Sequence, residues 1–328
     1  MAERSKRINV YDPEKIKLIN PETLSLLRKY EIDLSLRELS ENTLNAYRSD
    51  LYQWWIYVYD YQGNKSVKEI NEDDLTEFFF YCKQQGNNSR RMRRRMSSVS
   101  AFFIFLKKKK IIPDNPMEYV DRPAKDTDVT VQTYLTEEQV AEMKQKLVDA
   151  VENAATPIKK HYYMTMRAYA LFSLSTMARV NAVGSVRWEQ IDYENRTVKD
   201  VREKEGYIVD LYFSKEVSSV LQELREYRDE NGIEDNGYVF VGYDNGKYDH
   251  VTNGTLGEWC RAVGNMIDVP TLHPHDFRHS AATILRNNGM ALEDVSKLLG
   301  HKGTDVTIKH YLKLDTRKLQ SAKDQFEI

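Results

Sequence analysis

Cysteine is almost missing from this sequence: Cys82 and Cys260 stand far apart, and neither has a CxxC partner. That excludes a disulfide framework and a cysteine-built zinc site, and it fits a reducing compartment. No apolar run approaches the ~18 residues that a membrane-spanning helix needs. The opening MAERSKRINVYDPEK is polar and lacks an apolar signal core, so a cytoplasmic protein without a secretory leader is expected. Internal repeats and low-complexity tracts are also lacking. So is net charge: 48 basic residues against 50 acidic ones leave −2 over 328 residues. What remains, 41% hydrophobic and 30% charged, describes an ordinary globular chain whose length suits two domains better than one.

The distribution of charge says more than its sum. From Lys83 to Lys110 there are ten basic residues and no Asp or Glu. Arg90, Arg91, Arg93, Arg94 and Arg95 open this stretch, and Lys107 and Lys108 stand near its end. Such a run is often only a solvated helix face. Here five arginines in six positions cannot share one solvent sector, and no acid within i±4 pairs with them. Ser97, Ser98, Ser100 and Ala101 would let a backbone approach closely. Arginines at a helix start suit phosphate oxygens, so these seven residues are candidate DNA contacts.

Hydrophobic spacing predicts a helix around Pro21–Tyr30 and a second one from Ser40 or Asn42 carrying Leu44, Tyr47, Leu51, Trp54, Trp55 and Val58. Asn71 caps a third helix, Glu72–Gln84. A fourth runs from about Arg90 to Lys108, with Met92, Met96, Val99, Phe102, Phe103 and Leu106 on one face. Pro113, Pro116 and Pro123 close this helical region. Thr136-Glu-Glu-Gln139 is a capping box that opens a second, mainly helical region. Strands are expected at Ile191–Asp192, Thr197–Val201, Tyr207–Phe213 and Tyr238–Val241. A helix Pro274–Asn287 stops at Asn288-Gly289, and a short one spans Leu292–Leu299. The expected division is an extension 1–35, a helical domain 36–122, a linker 123–134, and a mixed α+β domain 135–328.

Five of the seven histidines fall between His273 and His310. His275 and His279 stand at helical i, i+4 spacing, as in a zinc protease. However, Asp276 is a short base, and no third ligand follows at the required distance, which argues against a metal. Each residue has an ordinary reading of its own: Arg179 as a helix C-terminal cap, His301 as a turn histidine, Tyr311 as one more core aromatic. Order and company speak against coincidence. Thr176-Met-Ala-Arg179 leads to a hairpin with Arg202-Glu-Lys204-Glu-Gly206, then His275-x-x-Arg278, Leu298-Leu-Gly-His301 and Tyr311.

This ordered set resembles the tyrosine recombinase, or phage integrase, family. LHPHDFRHSAATILRNNGMALEDVSKLLGHKGTDVTIKHY is similar to the family's second conserved box, and STMARVNAVGSVRWEQID to its first. ENTLNAYRSDLYQW and RRMRRRMSSVSAFFIFLKKKKIIPDNPMEYVDRP are similar to its core-binding domain. The resemblance spans about residues 36–315. It implies a mainly α fold with a small antiparallel sheet, in two domains that clamp DNA as a C. It makes Arg179 and Arg278 the catalytic arginines, His275 and His301 the catalytic histidines, and Tyr311 the nucleophile. Lys204 is the hairpin lysine, with Arg202 as its competitor. The family often carries an acid three residues after the first arginine; here that position is Ala182.

The chemistry suits these residue types. Two arginines can hold the non-bridging oxygens of a phosphodiester as charge grows on them. A tyrosine, ordinarily ionising near ~10, needs an acceptor such as His275. Lys204 can protonate the departing 5′-oxygen, and His301 can donate to the phosphate. The resulting phosphotyrosyl bond conserves the energy of the broken bond, so no metal, nucleotide or other cofactor is required. The implied partners are double-stranded recombination sites and further copies of the chain, a dimer per site and a tetramer in the synapse. The scheme leaves room for an accessory DNA-bending or directionality factor. Leu312, Leu314, Leu319 and Phe326 give the tail an apolar stripe that would fold onto its own domain or dock on a neighbour. The role implied is integration and excision of a bacterial mobile element or phage. Xer-like dimer resolution is an alternative, and a catalytically silent DNA-binding protein of the same fold is another. A type IB topoisomerase or telomere resolvase shares the chemistry but fits the helical domain less well.

Overall fold

The computed structural model describes residues 11–37, 39–124, 134–202 and 208–300. The chain divides into two compact units, Met1–Val131 and Gln132–Ile328.

The first unit is helical: α1 (Pro13–Ile16), α2 (Pro21–Ser35), α3 (Glu41–Tyr61), α4 (Glu72–Gln84) and α5 (Ser89–Lys108). Local signals set the starts. Ser40, Asn71 and Asn88 each cap their helix through the side chain, and Asn71 with Asp74 completes a capping box. The core is aromatic. Trp54 and Trp55 of α3 are fully buried, and Trp54 lies 5.4 Å from Phe103 of α5, centroid to centroid. Each such ring contributes roughly 1.5–3 kcal/mol by leaving water.

Helix α2 runs five residues past its expected end and is not an appendage. Leu26, Leu27, Tyr30 and Leu34 enter the core, where the Tyr30 ring lies tilted against Phe102 at 5.2 Å between centroids. The expected boundary at residue 35 therefore gives way to one that places α2 inside the first unit. Leu24, Leu26 and Leu27 suggested a helix, but Leu34, which completes its stripe, lay beyond the expected segment.

The second unit is built on α7 (Pro157–Thr176), which packs against α6 (Glu137–Glu152), α9 (Lys215–Glu230) and α11 (Pro274–Asn287). Strands β1 (Ile191–Asp192), β2 (Thr197–Arg202) and β3 (Ile208–Tyr212) form an antiparallel sheet in that order. Helices α8 (Val180–Gly184), α10 (Asn253–Met266) and α12 (Leu292–Leu298) complete the described part. The capping box Thr136–Gln139 opens α6, and Gly289, at φ 95°, follows α11.

The strand expected at Tyr238–Val241 is displaced. Tyr238 makes only an isolated bridge to Arg187, and Val239 and Phe240 are fully buried. The hairpin lies further on, β4 (Val241–Asp244) with β5 (Lys247–His250). Asn245 (φ 48°) and Gly246 (φ 84°) turn it, the positive-φ pair that a two-residue hairpin requires. A buried apolar segment and a strand share one composition, whereas the Asn-Gly pair was the sharper signal. Among the described residues no helix is long and apolar enough to cross a membrane.

Candidate active site

Helix α7 ends on a non-glycine residue in the left-handed region: Met177 has φ 53° and is buried. This conformation, costly for a residue with a side chain, stops the helix and turns the chain into Arg179, the N-cap of α8. The carbonyl that Met177 exposes is taken by Arg278, whose Nη1 donates to it at 2.6 Å. Its Nη2 donates to the carbonyl of Leu299, at the end of α12. Arg278, only 5% exposed, thus ties together three segments: the one bearing Arg179, its own helix, and the one leading to His301.

One turn earlier on α11, His275 is exposed. Its imidazolium is disfavoured, first by partial desolvation and then by the positive charges of His273, Arg278 and Arg179. Arg179, His275 and Arg278 therefore share one electrostatic neighbourhood, which lowers the histidine's affinity for a proton. Asp276 caps α11: its Oδ2 accepts from the His273 N–H at 2.9 Å and pairs with His273 Nδ1 at 3.1 Å. That geometry occupies the carboxylate a zinc-protease reading would need as a base.

Ala182 occupies the third helical position of α8 and is fully buried in the apolar core. An acid there would stand where a capping box accepts from the N-cap residue, here Arg179. Arg202, at the end of β2, is exposed. Lys204, His301, Tyr311 and the tail residues Leu312, Leu314, Leu319 and Phe326 lie outside the described residues.

The basic helix α5 differs from its expectation in one important respect. Arg95 is 1% exposed: Nη2 donates to Gln53 Oε1 at 2.8 Å and Nε to Asn87 Oδ1 at 3.2 Å. It fastens α5 to α3 and is not a surface contact for DNA. Arg94 pairs at 2.8 Å with the buried carboxylate of Asp50, which also accepts from Ser98 Oγ at 2.9 Å. The acid that was not found at i±4 comes from another helix. Arg93 donates to the Pro123 carbonyl at 2.6 Å. Arg90 and Lys108 are exposed and Arg91 is half-buried, while Lys107 lies within 3.5 Å of both Asp114 and Glu118.

Comparison with known proteins adds the family. Residues 133–318 match the phage integrase family, and residues 27–110 match the phage integrase N-terminal SAM-like domain. The chain belongs to the phage integrase family. A tyrosine recombinase of Thermosipho africanus is 27% identical over 295 residues, covering 88% of this chain and 94% of the relative. The fold is shared with XerH recombinase bound to difH substrate, at TM-score 0.67 and 16% identity, covering 94% of this chain and 92% of the other. It is shared too with the Tn1549 transposon integrase bound to circular intermediate DNA, at TM-score 0.66 and 19% identity, covering 90% and 98%. Membership carries the activity: this is a tyrosine recombinase, which cleaves and rejoins DNA at specific sites.

Proposed function

We propose that Arg179, His275 and Arg278 act with Lys204, His301 and Tyr311 to cut DNA through a 3′-phosphotyrosyl intermediate. The supporting observation is the anchoring of Arg278 on the carbonyls of Met177 and Leu299, beside a histidine whose charged form is disfavoured. In this reading Tyr311 gives its proton to His275 as its oxygen bonds to phosphorus. The bond to the 5′-oxygen breaks, and that oxygen takes a proton from Lys204, or from Arg202 in its place. Arg179, Arg278 and His301 meet the charge that develops on the phosphate oxygens. A 5′-hydroxyl of the partner duplex then reverses the step.

The substrate in this reading is a pair of duplex recombination sites, bound by a dimer each and joined in a tetramer, in the cytoplasm of a bacterium. The first unit, with Arg90, Arg91 and Lys108 on α5, would grip the duplex. We assign integration and excision of a mobile element as the biological role, supported by likeness to the Tn1549 integrase and to a probable integrase of Acholeplasma phage L2. Likeness to XerC of Roseiflexus, 26% identical over 83% of each chain, supports dimer resolution as the second reading.

A nicked suicide duplex tests the chemistry: the wild type should form a covalent adduct and Tyr311→Phe should not. An adduct with Tyr311→Phe would overturn the nucleophile. Footprinting and mapping both cleavage positions tests the role. Sites at the joined ends of a mobile element support integration, whereas one chromosomal site far from any element supports dimer resolution.

A further inference from the structure

Strand β2 breaks the alternation that β3 keeps. Thr197 and Val198 are buried, Lys199 and Asp200 exposed, Val201 buried and Arg202 exposed. In a regular strand Val198, Asp200 and Arg202 would share one face. Here Val198 pairs with Leu211 and Val201 with Val209, so Lys199 and Asp200 together oppose Asp210 alone. This is a β-bulge, and it reverses parity. Val201 joins Val198 in the core, and Arg202 is turned outward; without the extra residue Arg202 would fall on the buried side.

The bulge is held by named groups. Asp200 adopts φ 56°, a left-handed conformation that Asp tolerates better than branched residues do. Its N–H donates to Asp210 Oδ1 at 3.2 Å. Gln190 Nε2 donates to the carbonyls of Lys199 at 3.0 Å and Asp200 at 3.3 Å. Gln190 Oε1 accepts in turn from the Arg187 N–H at 2.9 Å, so one amide links the chain after α8 to the bulge.

We propose that Gln190, Asp200 and Asp210 are positioning residues for DNA cleavage. The bulge they close sets the face on which β2 ends at Arg202, the residue two positions before Lys204 in the sequence. This rests on the reading of Lys204 or Arg202 as proton donor to the departing 5′-oxygen. When the P–O5′ bond breaks, its electron pair stays on an alkoxide-like oxygen that must be protonated. With sulfur in the bridging position, the P–S bond breaks to a thiolate, the anion of an acid with pKa about 8.5, which leaves without a proton. A displaced donor therefore slows cleavage of the oxygen substrate and spares the sulfur one.

The experiment uses the full chain and a nicked duplex carrying its mapped cleavage site, with oxygen or sulfur at the bridging 5′ position. Adduct formation by Gln190→Ala and Asp210→Ala should slow roughly ten- to hundred-fold on oxygen, part of what a general acid supplies, and stay near wild type on sulfur. Asp210→Asn, which keeps the accepting oxygen, and Asp200→Gly, which keeps the left-handed turn, should retain both rates; Asp200→Val should behave like Asp210→Ala. Lys204→Ala and Arg202→Ala serve as references, and thermal unfolding shows that each variant is folded. Equal loss on both substrates, or no loss on either, while a reference variant is rescued by sulfur, overturns the role of the bulge. Failure of sulfur to rescue either reference variant overturns the proton-donor reading, and the positioning role falls with it.

Discussion

Arg278 donates from Nη1 to the carbonyl of Met177 at 2.6 Å, two residues before Arg179. One arginine thereby fixes the position of the loop that carries the other. The strained backbone at Met177 and the buried guanidinium explain each other: the left-handed turn presents a carbonyl, and the guanidinium satisfies it. Since Nη2 also takes the Leu299 carbonyl, the site's geometry and the local fold depend on one side chain.

Arg278→Lys should accordingly fail in two ways. An ammonium on a flexible stem cannot span two carbonyls with the planar fork of a guanidinium. Covalent adduct formation should fall at least about a hundred-fold, the scale of losing one charge-stabilising donor. Stability should fall by roughly 1–3 kcal/mol, because a buried carbonyl loses its partner. Suicide-substrate kinetics and urea unfolding measure the two losses. Wild-type stability in this variant would mean that the two carbonyls do not need the guanidinium.

The arginines of α5 should separate into two kinds. Arg95→Ala should cost roughly 2–4 kcal/mol of stability, since Gln53 and Asn87 lose a buried charged donor. Arg90→Ala should change stability by less than about 0.5 kcal/mol, weaken DNA binding and reduce its salt dependence by about one counterion. Denaturation and binding across a salt series would reveal the difference. Equal behaviour of the two variants would remove the distinction between clamp and contact.

Helix starts were legible because capping is local: Ser40, Asn71 and Thr136 announce their helices within four residues. Arg179, His275 and Arg278 stood out as candidates from order and spacing along the chain. What the sequence could not show depends on contacts between distant residues. Asp50 lies 44 positions from Arg94, and Gln53 lies 42 from Arg95, so all five arginines of α5 read alike as candidate DNA contacts. The bulge in β2 was hidden for another reason: Thr197–Val201 reads as a strand whether or not it contains an extra residue. Only pairing with β3 shows which residues face inward.

His275 should act as a neutral acceptor at neutral pH. Partial burial, then His273, Arg278 and Arg179, push its pKa below the usual 6.5. The base is active when unprotonated, so the acid limb of adduct formation should lie below 6.5. A pH–rate profile on the nicked substrate, at constant ionic strength, locates the acid limb. A limb at or above 6.5, or one that persists in His275→Asn, would argue against His275 as the acceptor.

Away from the site, the buried Arg228 rests on a neighbour that can titrate, His161. Arg228 is 1% exposed and donates from Nε to His161 Nε2 at 2.9 Å, and from Nη1 to Asp235 Oδ2 at 2.9 Å and the Tyr238 carbonyl at 3.1 Å. Asp235 also accepts from Trp188 Nε1 at 2.7 Å, so the cluster joins α7, α9 and the segment before β4. His161 must offer a lone pair to a cation, and burial followed by Arg228 pushes its pKa from 6.5 down to about 3. Between those values the unfolded chain binds a proton that the folded chain refuses. The contribution of His161 is therefore undiminished above pH 6.5 and erodes as pH falls through that window, by up to a few kcal/mol. His161→Gln keeps an acceptor for Arg228 and cannot titrate. Urea unfolding from about pH 7.5 to about pH 4 should give the wild type the steeper loss, with the variant gaining relative stability as the pH drops. Parallel profiles would mean that His161 takes up its proton without disturbing Arg228.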